Sequence, residues 1–235
     1  MARRFNGSSD NITLSLGAMG FSFGPATYVT LCRLNGVGAN SQIVWGFGTG
    51  ATTRAWFGLN QTTGKQFLRL GNSTVDGGAW AVSDGWVLHA VAKNTGTVAP
   101  TFYMYSWATG AWTITTPGTI ADSTPGASGT IGADTSVAQF FKGDVAALAA
   151  WNVVLTQGQI DSLTREISAA SWGTAAGGTT KPKFMAIIDP TASVLDLTGG
   201  GASQSAISGT AACPDEFPML LPQPLSPRSR SSWVT

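Results

Sequence analysis

The stretch "FKGDVAALAAWNVVLTQGQIDSL", Phe141 to Leu163, joins two structural patterns end to end. Val145 to Trp151 is apolar, uncharged and closed by a tryptophan, the pattern of a buried strand. Helix signals start five residues later. Thr156 and Gln159 have the T-x-x-Q spacing of a capping box, in which the N-cap and N3 side chains satisfy each other's backbone amides. Leu155, ahead of the cap, can pack on Ile160 as a hydrophobic staple, and Ile160, Leu163 and Ile167 share one apolar stripe. The spacing predicts one short helix, Thr156 to Ser168.

Upstream, the chain alternates with period two. "NITLSL", "TYVTLCRL", "QIVWGFG", "RAWFGL", "QFLRL", "GWVLHAVAK" and "TFYMYSW" follow one another at short intervals. Turn clusters separate them: Asn35-Gly36, Asn60 to Gly64, Asp76-Gly77-Gly78, Asp84-Gly85, Asn94 to Gly96, Thr109-Gly110, Pro117-Gly118 and Pro125-Gly126. Many short strands with such turns, and no regular strand–helix alternation, predict an all-β fold of two antiparallel sheets, a jelly-roll sandwich. The single helix then caps the sandwich. Another strand-like run, "KFMAIID", spans Lys183 to Asp189. After Cys213 come five prolines in 22 residues, too many for helix or ladder pairing. The expected organisation is one domain, residues 1–213, and an extended Pro-rich tail, residues 214–235.

Composition narrows the function. Hydrophobic residues make up 43% of the 235, enough for a sizeable core, while charged residues make up 11%, less than half the usual ~25%. The surface must then be mostly Ser, Thr, Asn, Gln and Gly. Net charge is +1 and no basic block interleaves with aromatics, so the footprint of nucleic-acid binding is missing. No apolar run reaches the ~18 residues that a spanning helix needs, and "MARRFNGSSDN" lacks an apolar h-region, so neither membrane insertion nor a secretory signal is expected. Cys32 and Cys213 are expected to be reduced, buried thiols, with one bridge between them as the alternative.

The opening stretch resembles the closing element of laminin-G-like, concanavalin-A-like jelly rolls, where a strand "GxIaxlaiW" and then "n.aLs..EI..L" end the sandwich. The matching positions are Gly143, Val145, Leu148, Trp151, Asn152, Leu155, Thr156, Gln159, Ile160 and Leu163, with Gln159 in place of the usual Glu. "SDGWVLHAVAKNTG", "TFYMYSWATGAWT", "RRFNGSSDNITL" and "DLTGGGASQSAISGT" resemble further pieces of that family in the same order. The nearest pattern is the version found among virion and minor tail proteins of tailed actinobacterial bacteriophages. The resemblance implies a non-enzymatic virion protein, on the tail or decorating the head, assembled in the host cytoplasm. Its expected partners are other virion proteins, copies of itself and host surface glycans.

Candidate chemistry is sparse. Glycoside hydrolysis needs two carboxyls within about 10 Å. The only glutamates are Glu166 and Glu216, and no strand carries acids at i and i+2, so no catalytic residue is assigned. His89, the only histidine, shares a face with Val87 and Val91 and is expected to be a packed strand residue. "GFGTGATT" lacks the G-K-[ST] ending of a phosphate loop. No metal site is assigned. Relatives of the resembled family bind calcium at a loop rim, but Asp76, Asp84, Asp122 and Asp134 form no D-x-D-x-D run and are expected to be solvated turn residues. Sugar binding is the remaining idea. It needs an aromatic face flanked by hydrogen-bonders, and the residues assigned to it are Asn72, Asp76, Trp80, Trp107 and Trp112. Trp45, Trp86 and Trp151 are expected in the core.

Overall fold

The computed structural model describes residues 2–15, 24–48, 52–124, 126, 128–165, 182, 184–188, 203–208 and 211–212. Within them the strands run, in chain order, β1 Arg3–Asn6, β2 Asn11–Ser15, β3 Ala26–Leu34, β4 Gln42–Phe47, β5 Ala55–Asn60, β6 Lys65–Leu70, β7 Ser73–Ala79, β8 Trp86–Lys93, β9 Thr101–Ser106 and β10 Ala111–Thr115. There follow β11 Ser128–Ile131, β12 Lys142–Trp151, helix α1 Gln157–Ser162, β13 Phe184–Ile187, β14 Ser203–Ser208 and β15 Ala211–Ala212. The proposed tail, residues 214–235, and Cys213 lie outside the described residues.

Two antiparallel sheets result. The first has the order β10-β9-β8-β3-β12-β1-β15, with β13 pairing the far half of β12. The second has the order β14-β2-β11-β4-β5-β6-β7. The chain crosses repeatedly from one sheet to the other, so residues distant in sequence become neighbours, as in a jelly-roll sandwich.

The inward faces enclose an aromatic core. Trp45 stacks on Tyr28, Phe47 and Phe57 at centroid distances of 5.0, 5.1 and 5.7 Å. Such offset pairs add about 0.5–1.5 kcal/mol each beyond the area they bury. Cys32 is a free thiol in this core, and burial pushes its pKa up.

The outer face of the first sheet is also covered in part, which accounts for the continuous apolar run of β12. Val145, Leu148 and Ala150 join the core between the sheets. A bulge between Val145 and Ala147 shifts the phase, and Ala147, Ala149 and Trp151 join an outer cluster with Leu155, Ile160 and Leu163. A strand buried on both faces has no polar side to show. The helix follows β12 directly because it covers that strand's back.

The capping box forms as predicted. Gln159 N–H donates to Thr156 Oγ1 at 3.3 Å, and Thr156 N–H donates to Gln159 Oε1 at 2.9 Å. The helix itself is shorter than expected, ending at Ser162, while Ile167 and Ser168 lie outside the described residues. Ser162 and Thr164 hydroxyls donate to the Gln159 and Asp161 carbonyls, and the bonds after Ile160 tighten to i→i−3. Hydroxyls bonding back to carbonyls in this way compete with the helical ladder. Thr156→Ala removes the cap acceptor and is expected to destabilise the protein by about 1 kcal/mol. A melting temperature unchanged by the substitution would mean that packing of Ile160 alone holds the turn.

Candidate functional site

The outer face of the second sheet holds a groove, and period-two geometry builds it. In β5, Ala55, Phe57 and Leu59 point into the core, which turns Trp56 and Asn60 outward. In β6, Leu68 and Leu70 point inward, which turns Phe67 and Arg69 outward. In β7, Val75 packs on the core, so Thr74 and Asp76 face out. The registers Gly46↔Trp56, Trp56↔Arg69 and Arg69↔Thr74 set these residues in one row across four strands. Gly46 gives the indole its seat, since a Cβ there would lie 3.0 Å from Trp56 Cδ1.

The groove encloses about 280 Å³ and is lined by Ser41, Trp56, Asn60, Phe67, Arg69, Thr74 and Gln139. Trp56 and Phe67 form its floor with Ile43 in a small buried cluster. Two guanidiniums sit over the Trp56 ring, Arg54 at 4.8 Å and Arg69 at 5.4 Å from its centroid. Arg54 is anchored: its Nε donates to Gly71 O at 2.7 Å and its Nη2 to Asn72 Oδ1 at 3.0 Å. Arg69 Nε is shielded from water and meets no acceptor among the described residues, as does Trp56 Nε1. Burial, and then the neighbouring Arg54 charge, hold the Arg69 pKa below its ordinary value. Asp76 lies on the same face, where it accepts from Asn60 Nδ2 at 3.1 Å and from the Thr63 hydroxyl at 2.8 Å.

The outer face of the first sheet carries a second aromatic group. Tyr103, Tyr105, Trp107 and Trp112 pack half-buried beside the cluster under α1. Trp107 and Trp112 lie 5.1 and 5.2 Å from the Tyr105 ring, and Trp112 Nε1 donates to Asp161 of the helix at 3.2 Å.

The five residues assigned to sugar binding therefore do not meet. Asn72 and Asp76 belong to the groove side, while Trp107 and Trp112 sit on the opposite face of the sandwich. Trp80 corrects the expectation. Its ring lies in the core between the sheets, 4.3 Å from His89 and 6.0 Å from Phe141, so it presents no face to a sugar. The reason is the register shift between β6 and β7, where Gly77 and Gly78 stand opposite Gln66 alone, so the extra residue reverses the alternation and turns Trp80 inward. The aromatic that accompanies Asn72 and Asp76 is Trp56. The sequence carried a signal for it: in "RAWFGLN" the core positions Ala55, Phe57 and Leu59 leave Arg54, Trp56 and Asn60 on one outward face.

Trp45 and Trp151 are buried as expected, and Trp86 is buried under the outer face of the first sheet, with Arg33 stacked 5.3 Å over its ring. His89 is a core residue, its Nδ1 3.0 Å from Gln66 Oε1, and burial lowers its pKa to about 3. The expectation that Asp76, Asp84, Asp122 and Asp134 are solvated turn residues is corrected for two of them, since Asp76 lies in β7 and Asp134 is buried, and all four are held by their own neighbours. Asp84 accepts from Ala81 N–H, Asp122 pairs with Lys93 and Gly96 N–H, and Asp134 accepts from the Ala138 and Gln139 amides. Among the described residues no three His, Cys, Asp or Glu side chains come together as a metal site. No described helix is long and apolar enough to cross a membrane.

No protein-family model and no curated protein matches the chain. Its fold is shared with solved structures. A heptameric SAP-like pentraxin from Limulus polyphemus superposes with a TM-score of 0.53 at 11% identity, over 78% of this chain and 92% of that one. A Bacteroides ovatus protein described as carbohydrate binding superposes with a TM-score of 0.57 at 14% identity, over 90% of this chain and 62% of that one. The LG4-5 domains of the mouse laminin alpha1 chain give 0.45 at 14% identity, over 63% and 40%. The chain shares the two-sheet antiparallel jelly-roll fold of the pentraxin and of the Bacteroides protein.

Proposed function

We propose that the protein is a non-catalytic carbohydrate-binding β-sandwich that takes its ligand in the groove on the second sheet. The lining of that groove carries the reading. Ser41, Asn60, Thr74 and Gln139 set neutral donors and acceptors around an apolar floor of Trp56 and Phe67. Trp56 and Phe67 are 4% and 5% exposed, so the polar rim and the guanidiniums over the indole make the contacts, and these suit the hydroxyls of a saccharide. The volume of about 280 Å³ stands close to the ~300 Å³ lower end of ordinary ligand pockets, which suits a short segment of glycan. The lining supports a binding role, since among the described residues it holds no carboxylate. Glycoside hydrolysis would need two carboxyls free to exchange protons.

A panel of saccharides titrated against the isolated protein tests this. Binding is expected, at least tenfold weaker in Trp56→Ala with the far-ultraviolet circular dichroism retained, and without release of reducing ends. A panel with no binder, or one that is turned over, would overturn the reading.

The ordered likeness of residues 3 to 213 to phage virion proteins favours a second, compatible reading. The sandwich would be displayed on a bacteriophage particle, with other virion proteins and copies of itself as partners. Immunogold labelling of intact particles tests it. Gold over the head would indicate decoration, gold at the tail end would indicate host contact, and particles without gold would sink the virion placement.

A further inference from the structure

We infer that the glycan bound in this groove is acidic, with a carboxylate or sulfate on the sugar seated against the guanidinium of Arg69. The inference rests on the carbohydrate-binding reading above and adds the ligand's class. Its basis is a pair of like charges for which, among the described residues, no carboxylate lies within salt-bridge reach. Arg54 and Arg69 share the Trp56 ring, at 4.8 and 5.4 Å. Elsewhere Arg4, Arg33, Lys93 and Arg165 each contact an aspartate directly. Arg54 spends its Nε and Nη2 on Gly71 and Asn72, both uncharged acceptors. Arg69 lies over the indole, its Nε meets no acceptor among the described residues, and Asp76 on that face is held by Asn60 and Thr63. Burial and the Arg54 charge both work against the Arg69 cation. An anion in the groove would offset the repulsion between the two guanidiniums and give the Arg69 cation a charged acceptor.

The geometry selects the kind of anion. A guanidinium is a planar fork that matches the two oxygens of a carboxylate, or two of a sulfate, with parallel hydrogen bonds. Stacking on Trp56 restrains the plane of that fork before the ligand arrives, which reduces the ordering that binding requires. The neutral rim formed by Ser41, Asn60, Thr74 and Gln139 is left to meet the sugar hydroxyls. A lysine in place of Arg69 would keep the charge but lose the fork.

An array of neutral, carboxylated and sulfated saccharides, probed with the intact chain, tests the inference. The strongest carboxylated binder is then compared with its own methyl ester, which keeps the sugar and removes the charge. Acidic saccharides are expected to lead, the methyl ester to bind at least tenfold more weakly, and affinity to fall as salt rises. The carboxylated and sulfated arms identify which oxyanion is taken. Arg69→Gln and Arg69→Lys are each expected to weaken the acidic ligand at least tenfold, and to weaken it by more than they weaken its methyl ester. The ester comparison uses the wild-type protein, so it stands even where a variant folds poorly. Equal affinity for acid and ester, or a preference for neutral saccharides, would overturn the acidic assignment and leave the carbohydrate-binding function intact. An array with no binder would overturn both.

Discussion

Asp144→Ala is expected to destabilise the protein by about 3 kcal/mol, the lower end of the range for removing one partner of a buried ion pair. The lower end applies because the Arg4 side chain remains 35% exposed, although Asp144 itself is 0% exposed. The register explains why the carboxylate is needed. Asp144 on β12 is the partner of Arg4 on β1 and of Arg33 on β3. Its oxygens accept from Arg4 Nε at 2.9 Å, from Arg33 Nη2 at 2.6 Å and from Asn35 Nδ2 at 2.8 Å. One carboxylate therefore ties three neighbouring strands together, and alanine leaves two cations facing each other across the gap. Thermal unfolding should show a fall of roughly 10 °C, at 2–4 °C per kcal/mol for a chain of this size. A fall of under 2 °C would show that the two arginines find water or other acceptors without loss. Burial pushes the Asp144 carboxyl up, but hydrogen bonds from Arg4, Asn35 and Arg33 outweigh it and hold its pKa below the ordinary value. Its stabilising contribution is therefore present above the unfolded carboxylate pKa of about 3.9, and is lost only as pH falls below that.

His89 acts in a different pH window and by a different cause. Burial lowers its pKa from about 6.5 to about 3. Between those values the unfolded chain binds a proton that the folded chain refuses, so stability falls as pH falls. The slope for one such group is about 1.4 kcal/mol per pH unit, or about 3 kcal/mol between pH 6.5 and pH 4.5. Urea unfolding at a series of pH values measures it, and His89→Gln, neutral throughout, supplies the reference. The expected result is a steep fall in the wild type and a much shallower one in the variant. Parallel curves would mean that His89 takes up its proton in the folded state, through an opening that lets water reach Nε2. Above pH 6.5 both contributions are fully present, so binding assays belong at neutral pH.

Much of the frame was legible because it depends on local chemistry. A T-x-x-Q capping box works within four consecutive residues, so Thr156 and Gln159 announce the helix wherever the chain goes. The alternation in "QFLRL" assigns faces without knowledge of the partner strand. The same alternation contained half the candidate site, since Arg54, Trp56 and Asn60 fall on the outward side of "RAWFGLN". The pattern by itself does not mark Trp56 as a site residue, because a tryptophan in a strand resembles core whichever face it takes. Trp80 misled for the opposite reason. Its glycine-rich surroundings read as an exposed turn, but turn residues say how the chain bends and not which side of the bend meets solvent.

The sequence by itself determined the class of the protein: a low-charge, all-β sandwich with one capped helix behind its last long apolar strand. It could do so because strand period, turn chemistry and helix capping are properties of neighbours in the chain. Only the tertiary structure decided which residues share a surface. The row of Gly46, Trp56, Arg69 and Thr74 joins four strands, and its members are set side by side by hydrogen-bond register, as Arg4, Asp144 and Arg33 are on the other sheet. A shift of one residue in any of those pairings would turn the side chains to the opposite face. The groove, and the unpaired charge within it, are consequences of register, and register is fixed by the packing of the whole sandwich.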